Sequence, residues 1–431
     1  MLIQVPQYLL EAGWSRIACT QPRRISATLV ASRVADEKES AVGDVVGYAA
    51  GFDRRSSAAT QITYVTDEFL VRETSLDPML SKYNVIMIDE AHERSLFTDV
   101  LAGLVKKVLK KRPELRIIVS SATTQADSFH SFFNTNTSFD KSKDNAVIVT
   151  IPGRMFPVDI YYTDEAVSDY IEGAVDAVFN IHKEGRSGDI LVFVTGREQA
   201  QSVVSVINMR ASDKRLEPIY AVPLYSGLSN DEQMKVFDTP IPGTRKVVVA
   251  TTIAEASITI DGIVFVVDCG FAKTKYFDPI TGIERLLTLP ISQSSAIQRA
   301  GRAGRTRPGK VLRLYTESSY NAMNVTDIPE ICRTNLSSVI MLLKGIGIEN
   351  ILTFSFLDTP SHQAMAQALE LLYSLGCLDE NGKLTSPLGE AVARFPLDPK
   401  LAVMLMNSKR FRCSDEALTI VAMLSVDVIC A

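Results

Sequence analysis

Two adjacent carboxylates, Asp89 and Glu90, close the apolar run Val85-Ile86-Met87-Ile88 and are the side chains best placed to do chemistry. A short apolar run of this kind reads as a buried strand. A strand ending in paired acids delivers one carboxylate to a magnesium shell and the other to a hydrolytic water. The second constellation is Gln298-Arg299-Ala300-Gly301-Arg302-Ala303-Gly304-Arg305. Arginines spaced three apart beside glycines bring guanidinium forks to a transferring phosphoryl group, where a planar bidentate donor serves better than lysine. Together the two imply a nucleotide-driven motor, although Asp89-Glu90-Ala91-His92 alone could be a polar helix start, because acids favour helix amino ends.

The elements that must carry these groups follow from hydropathy. Short β-branched runs recur between longer helical patterns, at 17–19, 85–88, 117–119, 190–194, 247–249, 263–267 and 311–315. Such alternation predicts an α/β fold with parallel sheets. A polar stretch around 134–163 interrupts the series and places a domain boundary there. After about residue 323 amphipathic helices take over. Met365, Leu369 and Leu372 share one face of a helix for which Ser361 is the N-cap and Gly376 the stop. Asn381-Gly382 then signals a hairpin, and helices followed by a small hairpin suggest a winged helix.

Bulk properties restrict the function classes. The 431 residues carry 46% apolar and 22% charged side chains and a net charge of −5, as expected of a soluble globular protein of two to four domains. No apolar stretch reaches the length of a membrane span and the start lacks a signal peptide, so an intracellular protein with no membrane association is expected. Six scattered cysteines and four unclustered histidines argue against disulfide frameworks and zinc sites.

Further motifs stand at the carboxyl ends of the expected strands, where open α/β sheets bind ligands: Thr20-Gln21-Pro22-Arg23-Arg24, Ser121-Ala122-Thr123, Thr195-Gly196-Arg197-Glu198-Gln199 and Thr251-Thr252-Ile253-Ala254-Glu255. Each alone is readable as a turn, a cap or a solvated loop. In this order, with Asp67-Glu68-Phe69-Leu70, Thr259-Ile260-Asp261-Gly262 and Leu224-Tyr225-Ser226-Gly227, the chain resembles the DEAH-box RNA helicases of superfamily 2 over essentially its whole length.

That resemblance implies two tandem RecA-like domains, 1–158 and 159–323, then a winged-helix domain, 324–392, and the start of a helical bundle, 393–431. It implies ATP or another nucleoside triphosphate between the first two domains and single-stranded RNA across them. Asp89 and Glu90 would hold Mg²⁺, partly through water, with Glu90 polarising the attacking water. His92, Ser121 and Thr123 would couple the nucleotide to the RNA. Gln298 would position water, and Arg302 and Arg305 would act as arginine fingers. Arg33 and Phe237 match the positions that sandwich the base, and Asp261 falls in a nucleotide-binding motif. Arg23, Arg24, Thr66, Thr195, Gly196 and Thr251 fall where the family contacts the RNA backbone. The stretch 271–291 corresponds to a long β-hairpin that helps separate strands, or is a plain surface hairpin. By the same association the partners are ribonucleoprotein or spliceosomal proteins and the compartment is the nucleus.

The chain departs from the family pattern at its start. Gln4-Val5-Pro6-Gln7 follows Met1-Leu2-Ile3, where the family has Gly-Lys-Ser/Thr-Thr, so Met1 and Leu2 occupy the lysine and magnesium-hydroxyl positions. Loss of three phosphate contacts is worth on the order of 5 kcal/mol, which predicts no useful ATP turnover. The strand that precedes this loop in the family lies inside the first sheet, so its neighbours are expected to carry unpaired edges. Thr252 and Ala256 stand at a usual Asn and a usual Thr. Three readings follow: an ATP-dependent RNA helicase represented by part of its sequence, a non-catalytic RNA-binding or scaffold protein that keeps the fold, and, third, a DNA helicase.

Overall fold

The structure is a computed structural model and describes all residues except 1, 52, 123–124, 139, 152, 154–155, 212–217, 239–241, 256–259 and 426–431. It is an α/β protein in two compact units, one made of residues 1–149, 276–285 and 329–431, the other of 150–275 and 286–328.

In the first unit six strands form one sheet: β1 (Ile17–Gln21), β2 (Val46–Ala50), β3 (Asp53–Arg55), β4 (Ile62–Thr66), β5 (Val85–Ile88) and β6 (Arg116–Val119). Their order is β3-β2-β4-β1-β5-β6, parallel except for β3. The ladder runs without a gap from β3 to β6. The expectation of unpaired edges on both sides of an interior position is therefore not met, and β6, with Arg116 exposed, closes the sheet as an edge.

Alternation sorts the side chains by face. Ile17, Cys19, Tyr64, Val85 and Met87 pack on one side, with Ala27, Ala31 and Val34 of the helix Arg24–Glu37. Ala18, Val65, Ile86 and Ile88 pack on the other, with Leu101, Leu104, Val105 and Val108 of the helix Leu96–Leu109.

This second core continues into the C-terminal residues. Val339, Ile340 and Leu343 of the helix Ser337–Gly345 and Met365 and Leu372 of the helix His362–Ser374 belong to the same buried cluster. At Gly103 a Cβ would stand 2.5 Å from the Phe354 ring, so only glycine lets the helix Leu96–Leu109 approach so closely. The helix expected after Ser361 is present, and the Ser361 hydroxyl accepts from the Ala364 N–H at 3.1 Å. The Asn381-Gly382 signal corresponds to a turn closed by the antiparallel bridge Leu378–Leu384.

The second unit holds β7 (Val158–Tyr162), β8 (Asp189–Phe193), β9 (Ile219–Leu224), β10 (Arg245–Ala250), β11 (Ile263–Asp268) and, after the ribbon β12 (Phe271–Asp278) and β13 (Ile283–Pro290), β14 (Gly309–Arg313). The sheet order is β7-β14-β11-β8-β10-β9, all parallel. Ile190 and Val192 face one core, and Leu191 and Phe193 the other. Asp278 shapes the ribbon's turn by accepting from the Ile280 N–H at 2.9 Å and the Thr281 hydroxyl at 2.8 Å. Among the described residues no helix is long and apolar enough to cross a membrane.

Candidate active site

The carboxyl end of β5 brings the first group of expected residues together. Asp89 is buried, at 5% exposure, and its carboxylate accepts from Gln21 Nε2 at 2.9 Å and from the Ser120 hydroxyl. Both donors are neutral, and among the described residues no basic side chain forms an ion pair with Asp89. The Gln21 Oε1 beside it is buried with no hydrogen-bond partner. A buried carboxylate held by neutral donors next to an orphaned acceptor fits a hydrated Mg²⁺, which keeps most of its waters and takes one or two carboxylates from a protein. The described residues contain no group of three or more His, Cys, Asp or Glu able to enclose a metal ion.

Glu90 follows in the left-handed region, φ 51°, and Arg94 repeats this at φ 49°, on either side of the short turn Ala91–Glu93. Such a conformation costs a non-glycine residue about 1–2 kcal/mol and is kept where surrounding contacts over-determine it. Here the contacts are visible. The Ala122 N–H donates to His92 Nδ1 at 3.1 Å, and His92 Nε2 lies 3.3 Å from Glu90 Oε2. An imidazole that accepts at Nδ1 carries its proton on Nε2, so neutral His92 donates to Glu90 and joins it to the loop after β6. Ser120 ties the same loop to β5, its carbonyl accepting from Ala91 N–H at 3.0 Å and its N–H donating to Ile88 at 2.9 Å. Ser121 lies in that loop, half-buried, and Thr123 falls outside the described residues.

Around this cluster Thr66 ends β4 in register with Gln21, and its hydroxyl caps the helix Asp67–Glu73 by accepting from Phe69 N–H at 3.2 Å. Arg23 reaches Glu93 at 3.5 Å, and the Arg24 guanidinium lies over Gly51. Arg33 is exposed on its helix and pairs with Glu37 at 2.8 Å. Behind the cluster, burial pushes the Asp67 carboxyl up to about 6, despite the Thr20 and Thr98 hydroxyls beside it.

The second unit gathers its own set. Thr195 is buried at the end of β8, its N–H donating to Gln199 Oε1 at 3.1 Å, and a Cβ on Gly196 would meet Lys273 Nζ at 3.0 Å. Thr251 ends β10 and donates its N–H to Leu224 O at 3.1 Å. Asp261 is exposed just before β11, and Phe237 lies half-buried in the turn Lys235–Phe237. Gln298 sits half-buried on the helix Gln293–Ala300, Arg302 donates to the Glu255 carbonyl, and Arg305 is exposed.

Comparison with known proteins decides the family. Residues 173–307 match the helicase conserved C-terminal domain, 368–397 the winged-helix part and 398–429 the ratchet-like part of the helicase-associated domain HA2. The human protein named probable ATP-dependent RNA helicase DHX35 is 49% identical over 432 residues, covering 98% of this chain and 62% of the relative. The Caenorhabditis elegans homologue of that name is 48% identical, with coverages of 98% and 58%. The crystal structure of the Escherichia coli DEAH/RHA helicase HrpB superposes with a TM-score of 0.88 at 33% identity, over 99% of this chain and 53% of that one. The chain belongs to the DEAH-box helicases of superfamily 2. It spans about three fifths of the length of these curated relatives.

Two arginines of this DEAH-box chain went unassigned in the sequence reading. Arg94, directly after the Asp89–His92 turn, is buried and donates to both oxygens of Asp99 at 2.8 Å and to Asp358 at 2.6 Å. Its carbonyl accepts from Glu330 N–H at 3.1 Å, and Glu330 Oε2 accepts from Leu96 N–H at 2.9 Å. The turn is thus anchored to residues of the C-terminal part of its own unit. Arg299 is fully buried, donating to Asp268 at 2.6 Å and to Glu255 at 2.7 Å over the face of Phe193. Burial alone would weaken this cation, but Glu255 and Asp268 outweigh it and hold the guanidinium firmly protonated. A signal for Arg299 existed, since it shares a helix face with buried Ser295, Ala296 and Ala300 and so had to be paired.

Proposed function

We propose that this protein is an ATP-dependent RNA helicase that unwinds or remodels RNA or RNA–protein complexes, in pre-mRNA splicing, inside the nucleus. The observation that carries the reading is the connected network of Asp89, Glu90, His92 and the loop after β6, in a chain of this family. Asp89 would hold a water of the Mg²⁺ shell, and Glu90, its carboxylate oriented by the neutral His92 imidazole behind it, would polarise the attacking water. Arg302 and Arg305 supply guanidinium groups to the transferring phosphoryl and Gln298 positions water. Arg33, Phe237 and Asp261 bind the nucleotide. Arg23, Arg24, Thr66, Thr195, Gly196 and Thr251 take the RNA backbone, contacts that carry no sequence information. Ser121 and Thr123 couple the two ligands. The domains that do this are 1–158, 159–323, 324–392 and 393–431.

The 431-residue polypeptide is the starting point of the test. Joined to a family phosphate loop and its strand it should show RNA-stimulated phosphate release that collapses in Glu90→Gln, Arg302→Ala and Arg305→Ala. RNA binding with no turnover in the joined protein would instead support a non-catalytic scaffold.

A further inference from the structure

At the amino ends of the first unit's strands lies a cavity of about 400 Å³ that none of the family roles uses. Arg16 precedes β1, Thr60 and Gln61 precede β4 and Tyr83 precedes β5, whereas Gln21, Thr66 and Asp89 stand at the opposite ends of the same strands. The floor is the sheet face at Ala49 and Thr63, and Phe69 and Glu73 of the helix Asp67–Glu73 form one wall. Beside the floor β3 packs closely on β2, where a Cβ on Gly47 would lie 2.4 Å from the Arg55 carbonyl.

The charges around this cavity do not balance. Among the described residues that line it Glu73 is the only carboxylate, and it is already held by Lys82 and by the Tyr83 hydroxyl at 2.7 Å. Arg16 donates to Asn84 Oδ1 at 2.9 Å and Arg54 to the Ser56 hydroxyl at 2.8 Å. Both partners are neutral, and among the described residues no carboxylate pairs with either guanidinium. Two uncompensated planar donors, hydroxyls between them and a ring at the wall recognise a phosphate ester that carries a flat group. The volume lies at the lower end of the range of small-molecule sites, which is the size of a mononucleotide.

We propose that this cavity binds a nucleoside monophosphate group, its phosphate held by Arg16 and Arg54 and its base against Phe69, apart from the nucleotide and RNA sites of the helicase reading. The group is either a free mononucleotide or the 5′-phosphorylated end of an RNA. Trp14, the one tryptophan of the chain, is two residues from Arg16 and supplies a fluorescence probe outside the cavity lining.

Titration of the full 431-residue chain with uridine 5′-monophosphate, followed by Trp14 emission and by calorimetry, should saturate. Arg54→Glu and Arg16→Ala, both at exposed positions, should each weaken binding by about tenfold or more with an unchanged thermal midpoint. Uridine without phosphate should bind at least about tenfold more weakly. Absence of saturation, equal binding of uridine, or unaltered affinity in both folded variants overturns the assignment. Competition by 5′-phosphorylated oligouridine identifies an RNA end and absence of competition a free nucleotide, both within the proposal. Equal competition by the 5′-hydroxyl strand, which carries no monoester, overturns it.

Discussion

Two aspartates end parallel strands in this molecule, Asp89 after β5 and Asp268 at the end of β11, and both are buried, at 5% and 0% exposure. Their surroundings are opposite. Asp268 is saturated by the protein itself, through Arg299 at 2.6 Å, the Tyr315 hydroxyl at 2.9 Å and the Gly270 N–H at 3.0 Å. Among the described residues Asp89 receives neutral donors, Gln21 and Ser120. A buried carboxylate paired with a resident cation is architecture, because removing either partner strands a charge. One held by neutral donors has no such partner to strand. The two sheets thus share a geometry at the ends of β5 and β11 but differ in what holds the aspartate there.

The contrast breaks most visibly at Arg299. Arg299→Ala leaves Asp268 and Glu255 uncompensated and should destabilise the second unit by roughly 3–5 kcal/mol, read from urea unfolding with hydrogen exchange followed unit by unit. A loss below ~1 kcal/mol would mean that the triad is ornamental. In the first unit Arg94→Ala strands only Asp99, since Asp358 is half exposed, and should cost roughly 3 kcal/mol there with the second unit unaffected.

Acidity sharpens the comparison further. The folded Asp67 carboxyl is pushed from 3.8 to about 6, so between these values the folded protein holds a proton that the unfolded chain releases. The first unit should therefore be most stable on the acid side of this window and lose at most about 3 kcal/mol as pH rises through it. Asp67→Asn should flatten that slope in pH-dependent unfolding, and an unchanged slope would assign it to other groups. The smallest expected effect is at Asp89 itself. Without Mg²⁺, Asp89→Asn should change stability by less than ~1 kcal/mol, whereas Asp268→Asn should cost at least ~2 kcal/mol. Equal losses at the two positions would erase the distinction.

Much of this was legible in the sequence, because local rules govern it. The β-branched runs became strands, Ser361 became a cap through one hydroxyl, and the acids after Val85–Ile88 ended a strand as an apolar run bounded by charge must. What escaped was the burial of charge. Nothing in the neighbourhood of Arg94 shows that residues 330 and 358 return to enclose it, since sequence periodicity records one element at a time. The same holds for the core shared between the helix Leu96–Leu109 and the helix Ser337–Gly345, each amphipathic on its own account. Arg299 was legible in principle, from its place on a buried helix face.

The first unit's discontinuity also has a consequence in time. Its sheet leaves the ribosome with residues 1–149, but the side of the helix Leu96–Leu109 that carries Gly103 meets Phe354 only after residue 354 has been made. At roughly 5–20 residues per second the nascent chain carries that open face for on the order of ten to forty seconds. During that interval the intervening unit can complete its own sheet, so of the two units the one begun earlier is finished later.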